Sequence, residues 1–340
     1  MKKIFSIVLT IAMLASMAAC GSAGGGSSSS AAQTSPAGTE TTSGTETNTE
    51  KKLTFGLVVM STNSDYWLTL KDGAQQAVDA VGGDLVFTGP ADNNDIQGQV
   101  SLVENLISSK VDAILVTPLD SDALVAPVEK AMDAGIPVIV IDSIVNTDKY
   151  TSFIATDNIT GGEMAMEKLI GLIDGSGEVV VINALAGIPS NDARGKGAED
   201  LAAQHSDITV LPQQHSLDQA EAMTATENVI TGNPNLKGIF ATFNRGALGA
   251  AQAVVNKGKA QDIKIVAFDA DPDEIKLLED GTIDALIVQQ PFEMGKLGIE
   301  YAIKAINGEE VPKDVAPEVV IATKDNMNDD AIHKVLFPNG

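Results

Sequence analysis

Six apolar runs in this 340-residue sequence end on polar side chains of related chemistry. Run 53–60 is followed by Ser61-Thr62-Asn63-Ser64-Asp65-Tyr66-Trp67, and run 137–141 by Asp142. Run 178–183 leads through a loop to Asn191 and Arg194, and run 238–241 leads to Phe243 and Asn244. Run 263–268 ends beside Asp269, and run 285–288 beside Gln289. Two carboxylates, a guanidinium, amides and aromatic rings suit a small polyhydroxylated molecule. A carboxylate accepts from two hydroxyls, Arg donates in a fixed fork, and an amide does both. Aromatic rings cover the C–H faces. Aromatic residues make up only 4% of the chain, yet Tyr66 and the single Trp, Trp67, are adjacent.

Taken one at a time, these residues have plainer uses. Asp142 or Asp269 can simply cap the next helix. Trp67 can be ordinary core, Arg194 can pair with Asp192 or Glu199 on its own helix, and Gln289 can satisfy backbone groups ahead of Pro291. The joint pattern favours one shared site. Catalysis has less support. The three His, at 205, 215 and 333, follow no core strand, and no Ser/His/Asp order, phosphate loop or metal-ligand spacing is present. Gly161-Gly162 opens a helix without the G-x-G-x-x-G pattern. Asp142 with Asp269 as a glycosidase pair is the remote enzymatic alternative. No enzyme activity, cofactor or metal is expected; the stretch 269–273 lacks the Gly and distal Glu of a calcium loop.

Ligands in open parallel α/β sheets bind at the carboxyl ends of strands, so the elements behind these residues must be parallel. The sequence supplies them. β-rich runs at 53–60, 84–87, 113–117, 137–141, 152–155, 178–183, 209–212, 238–241, 263–268 and 285–289 are mostly continuous rather than alternating, as in strands covered on both faces. Helical patterns lie between them at 66–81, 95–109, 122–134, 161–172, 192–204, 219–231, 245–257, 272–280 and 291–307. Asp122 is placed to cap one helix, with Gly135 as its stop; Asn233-Pro234 ends another. So many strands exceed one comfortable sheet. The expected fold is α/β, two similar doubly wound parallel-sheet lobes.

The ends and the charge set the context. Lys2 and Lys3, an apolar run from 4 to 15, small residues and then Cys20 have the layout of a secretory signal peptide over 1–19. The apolar run is shorter than the ~20 residues of a spanning helix. Met17-Ala18-Ala19-Cys20 resembles the lipobox of bacterial lipoproteins, with Met17 where Leu is usual, which implies a lipid on Cys20. The alternative is a soluble secreted protein. Residues 20–51, rich in Gly, Ser and Thr, read as a flexible tether. Such a tether suits an envelope without an enclosed periplasm and a domain held at the extracellular face of the cell membrane. A formal charge of −24 argues against nucleic acid and anionic membrane surfaces. With one Cys, an internal disulfide is excluded.

From about 53 to 325 the chain resembles the ribose- and galactose-type periplasmic binding proteins, the receptors of bacterial sugar ABC importers. The stretches that carry the likeness are Leu70–Gln75, Thr117–Ala123, Ile136–Ile139, Ala155–Asn158, Ala247–Ala250 and Phe268–Asp273. The resemblance implies ligand contacts from Ser64, Tyr66 and Trp67 in the first loop, Asp142, Arg194, Phe243 with Asn244, Asp269 and Gln289. It also implies a three-segment hinge near Thr156, Gln289 and Glu318. The lobes would be 52–156 with 290–318 and 157–289 with 319–327, followed by a C-terminal tail over 328–340. The expected partners are a small neutral sugar or polyol and an ABC permease, with the protein itself a monomer. A receptor presenting a sugar-like signal to a sensor kinase or chemoreceptor fits the same site. Sugar-responsive repressors share the fold but carry a DNA-binding motif where this chain has its leader. Three departures move the cleft away from ribose. Ser143 stands where the ribose pattern has Arg, Leu217 where it has an aromatic, and Phe243 where it has Asn.

Overall fold

The apolar runs form two sheets. The computed structural model describes residues 52–90 and 94–338; the expected signal peptide, Cys20 and the whole tether lie outside them. The first sheet is built from β1 (Thr54–Val58), α1 (Asp65–Ala80), β2 (Asp84–Thr88), α2 (Ile96–Ser109), β3 (Ala113–Val116), α3 (Val125–Asp133), β4 (Val138–Ile141) and β5 (Ser152–Ile154). The chain then crosses to the second. There it forms α4 (Asn158–Leu172), β6 (Gly177–Asn183), α5 (Pro189–Ala202), β7 (Ile208–Val210), β8 (Gln214–His215), α6 (Gln219–Gly232), β9 (Leu236–Ala241), α7 (Asn244–Asn256), β10 (Lys264–Phe268), α8 (Pro272–Asp280) and β11 (Ala285–Val288). It returns through α9 (Pro291–Ile306) and β12 (Asp314–Val315), and crosses a third time to β13 (Val320–Ala322) and α10 (Asp330–Leu336).

The sheet orders are β12-β5-β4-β3-β1-β2 and β13-β11-β10-β9-β6-β7, with β8 also paired to β6. Every pairing is parallel except β11 with β13. This is the α/β, two-lobed architecture expected from strand–helix alternation, with three crossings between the lobes. Neighbouring strand residues feed opposite cores because side chains alternate across a sheet. On β9, Ile239 and Ala241 join the core beneath α6 and α7, while Phe240 joins the core beneath α4 and α5. Burial on both faces explains why these strands read as unbroken apolar runs.

In each lobe a helix that carries cleft residues crosses a neighbour at backbone contact. A Cβ on Gly73 of α1 would lie 1.9 Å from the Phe292 carbonyl oxygen of α9, and one on Gly295 would lie 1.9 Å from that of Leu70. In the second lobe, a Cβ on Gly162 would meet the Arg194 carbonyl oxygen at 2.0 Å, and one on Gly197 that of Ile159 at 2.2 Å. The Gly161-Gly162 pair, with no phosphate-loop pattern around it, thus has a packing use. α1 carries Tyr66 and Trp67, and α5 carries Arg194, so these crossings set the heights of two cleft walls.

Several local expectations are corrected. Asp122 does not cap a helix. α3 begins at Val125, Asp120 accepts from the backbone of Asp122 and Ala123, and Asp122 instead accepts from Asn146 Nδ2 at 2.6 Å. α4 starts at Asn158, capped by Asp157, which accepts from Thr160 N at 3.1 Å. α5 starts at Pro189, the helix-first position proline favours. In the stretch expected as a tail, α10 packs on the second lobe and buries Leu336.

The crossings give a stability test. Gly295→Ala drives a methyl into backbone and is expected to lose about 1–3 kcal/mol in urea unfolding. Gly171→Ala, in α4 with nothing within 4 Å of the added Cβ, is expected to gain up to about 1 kcal/mol. Equal effects at the two positions would contradict backbone contact at the crossing.

Candidate ligand-binding site

The two strand-end carboxylates are held by one device used twice. Asp142, after β4, donates its backbone N–H to the Ile154 carbonyl of β5 at 2.8 Å and then turns left-handed, φ 68°. Asp269, after β10, donates to the Ile287 carbonyl of β11 at 3.0 Å and turns left-handed, φ 85°. Asp tolerates this conformation better than most residues. In each lobe the ladder is extended by one bond and then broken, which lifts a carboxylate off the end of the sheet.

The carboxylates are joined through two side chains. Tyr66 Oη donates to Asp142 Oδ1 at 2.9 Å and lies 3.5 Å from Gln289 Oε1. Gln289 accepts from Thr156 Oγ1 at 2.7 Å and donates from Nε2 to Asp269 Oδ1 at 2.5 Å. Gln289 therefore has side-chain partners, whereas its neighbour Gln290 takes the backbone role, donating to the Glu318 carbonyl at 2.6 Å. Trp67 is core, 8% exposed, and meets the Tyr66 ring edge-on at 4.7 Å. Ser64 stands before α1 and makes no side-chain cap bond.

Arg194 does not pair with Asp192 or Glu199. It stacks on Phe268 at 3.8 Å, and donates from Nε to Asn158 Oδ1 at 2.8 Å and from Nη1 to the Thr242 carbonyl at 2.9 Å. Asp192 accepts from the Gly187 N–H instead. Asn244 commits its Nδ2 to buried Glu274 at 2.9 Å. Gly246 lets the Phe243 ring lie against α7: a Cβ there would sit 2.6 Å from a ring carbon.

All nine residues that sequence reasoning assigned to a ligand line one cavity of about 440 Å³ between the lobes. A second, larger cavity of about 620 Å³ lies across Tyr66, Asp269 and Gln289, toward α8 and α10. The first is the candidate site because it collects the strand-end loops of both sheets. Its lining also includes Leu185, Ile188, Ser190, Ser216, Arg245 and Asp271, which sequence reasoning missed. Nothing in the residue types of the 184–188 loop marks it as cleft-facing, whereas Asp271 lies within the stretch 268–273 that carried the resemblance.

A family profile described as "Periplasmic binding protein domain" matches residues 55–310. The chain belongs to that family. It is 31% identical to the "Ribose import binding protein RbsB" of Bacillus subtilis, over 81% of this chain and 88% of the relative. It is 30% identical to the "D-allose-binding periplasmic protein" of Escherichia coli, over 78% of this chain and 88% of the relative. An ABC transporter solute-binding protein from Agrobacterium vitis, solved with α-D-tagatopyranose, superposes with a TM-score of 0.76. It is 33% identical, and the match covers 84% of this chain and 99% of that one. These relatives are binding proteins, not enzymes, and the catalytic alternative has no counterpart among them.

The cleft of this family member sets three carboxylates, Asp142, Asp269 and Asp271, beside Arg194 and Arg245. Burial pushes Asp142 above the usual carboxylate range, against the opposing pull of the Tyr66 hydrogen bond and of Arg194. Burial and nearby Asp142 and Asp269 push the Tyr66 phenol up, so it stays a donor. Burial, then Asp269, Asp65 and Asp273, raise Asp271 to about 6. A carboxyl whose folded value lies above its unfolded one favours folding at low pH, and this contribution is lost as pH rises through the folded value. Relative to the parent, Asp271→Asn is therefore expected to show no advantage in melting temperature near pH 4. Its advantage should grow between about pH 4, the unfolded value, and the region above pH 6. A difference independent of pH would contradict the crowding of Asp271.

Proposed function

We propose that this protein is an exported lipoprotein, anchored through Cys20, that captures a small neutral sugar or polyol between its lobes for an ABC import permease. The observation that carries the reading is the chain of side chains from Asp142 through Tyr66 and Gln289 to Asp269, facing one cavity that Arg194 also lines. A polyol can donate to two carboxylates and accept from an Arg and an amide at once. Asp142, Asp269 and Asp271 line the cavity and outnumber Arg194 and Arg245, which disfavours anionic ligands. The relatives support the ligand class, since their names specify ribose and allose and one neighbour was solved with tagatose. A cavity of about 440 Å³ suits a molecule of that size.

A thermal-shift panel of pentoses, hexoses, deoxysugars, polyols, amino acids and nucleosides tests the ligand class, because any ligand of the folded state raises the melting temperature. A sugar or polyol is expected to produce the shift; a shift from an amino acid or nucleoside alone would refute this reading. With the best ligand, Asp142→Ala is expected to weaken binding about 10- to 100-fold, the scale of a lost charged hydrogen bond. A change under twofold would remove Asp142 from the site.

Anchoring has a separate test. Cys20→Ser is expected to release the protein from the membrane fraction into the medium while ligand binding stays unchanged. Retention of the variant on cells would refute the lipid on Cys20.

A further inference from the structure

The second-lobe wall of the cleft carries Ser190, Asn191, Arg194, Ser216, Asn244 and Arg245, and among them a set of exposed apolar side chains. Leu185 is 44% exposed, Ile188 42% and Leu217 58%. All three line the candidate cavity, as does Phe243. They come from the loops after β6, β8 and β9, which are adjacent because β6 pairs with both of the others. The side chains therefore form one patch. It is also held in place. His215 donates from Nδ1 to the Ala184 carbonyl at 2.7 Å, tying the β8 loop to the β6 loop. The Leu217 N–H donates to Glu221 Oε2 at 2.8 Å, which anchors its backbone at the start of α6 while the side chain stands free. The polar row of Tyr66, Asp142, Gln289 and Asp269 lines the same cavity, with Asp142 on the first lobe and Asp269 on the second.

We propose that the ligand is a sugar with one apolar edge, in the class of 6-deoxyhexoses. Its ring hydroxyls meet the polar row, and its methyl edge covers Leu185, Ile188 and Leu217. This inference rests on the proposed sugar-binding function and narrows it. A hydroxyl placed against Leu185, Ile188 and Leu217 would meet side chains that offer no hydrogen bond. A methyl in the same place removes apolar surface from water on both sides. The size of the cavity and the fixed backbone of both loops favour a small rigid ligand over a flexible chain.

Matched pairs test it by titration calorimetry on the full soluble domain: L-rhamnose with L-mannose, D-fucose with D-galactose, L-fucose with L-galactose, and 6-deoxyglucose with glucose. In the pair that binds best, the deoxy member is expected to bind at least about tenfold more tightly, the scale for one group in an apolar pocket. Equal or tighter binding of the oxygenated member overturns the inference. So does binding of ribose or a polyol with none of the pairs, an outcome that leaves the sugar reading intact. Binding of an amino acid or nucleoside alone, or no binding at all, overturns both. Leu217→Asn then separates ligand contact from lobe packing. Because Leu217 is largely exposed, folding should survive. The deoxy preference is expected to shrink severalfold while affinity for the oxygenated partner holds or improves. An equal loss for both partners would assign Leu217 to lobe closure and overturn the contact.

Discussion

The side-chain amide of Gln289 holds the cleft together. It sits where the chain passes from β11 back to α9, so its backbone belongs to the hinge. Its oxygen accepts from Thr156 at another crossing, and its nitrogen donates to Asp269 at the end of β10. Through Tyr66 the same group reaches Asp142 in the other lobe. An amide is the one neutral side-chain group that offers a donor to a carboxylate and an acceptor to a hydroxyl from adjacent atoms. A Glu here would face Asp269 with a second negative charge, and an apolar residue would leave Thr156 and Asp269 without this partner. The hinge and the candidate site are thus the same atoms, and a ligand touching Asp142 and Asp269 acts on the crossing itself.

Around this tie the lobes repeat each other. Each ends a central strand on a left-handed Asp, and each seats a ligand-facing helix through a reciprocal pair of glycines. The repetition is physical rather than decorative. A parallel strand followed by a covering helix leaves its carboxyl end open, and one further ladder bond before the turn aims a side chain outward. Close helix crossings then fix how far α1 and α5 project, because backbone contact offers none of the slack of interlocking side chains. Tyr66 and Arg194 consequently have little freedom in the direction of the cleft. Arg194 is further fixed by Phe268 beneath it and by two hydrogen bonds within its own lobe.

What was legible in the sequence follows from burial. Strands covered on both faces must be apolar throughout, so runs such as 113–117 and 263–268 could be placed from composition alone. The two-residue β8 and β12 carry no such run, and β13 sits in a run of only four, Val319–Ala322. Their pairing depends on neighbours distant in sequence, which is why they were not foreseen. In the site, residue type and position after a strand were enough to name Asp142, Asp269, Arg194 and Gln289. Their partners were not readable: Arg194 sits on a helix with two acidic neighbours, yet it bonds to Asn158 and Thr242 because α5 turns that face toward the strand ends. Trp67 looked like a stacking platform and is mostly core. Leu185 and Ile188, in the loop after β6, drew no reading and line the cleft. An apolar residue in a loop carries no sign of which side it faces until the sheet is assembled.

The charge of the cleft connects the empty and occupied states. Burial has raised Asp142 and Asp271, and the largest share of that rise is the cost of removing a carboxylate from water. For Asp142, the Tyr66 hydrogen bond and Arg194 offset part of it. Hydroxyl donors from a polyol add hydrogen bonds to the charged form, and so lower the same carboxylates toward their ordinary range. Ligand capture and carboxylate ionisation therefore favour each other, without any moving charge on the ligand. An anion would oppose that coupling. A neutral polyol satisfies the carboxylates through several hydrogen bonds of modest net worth. Such a set can be given up one at a time when the lobes part.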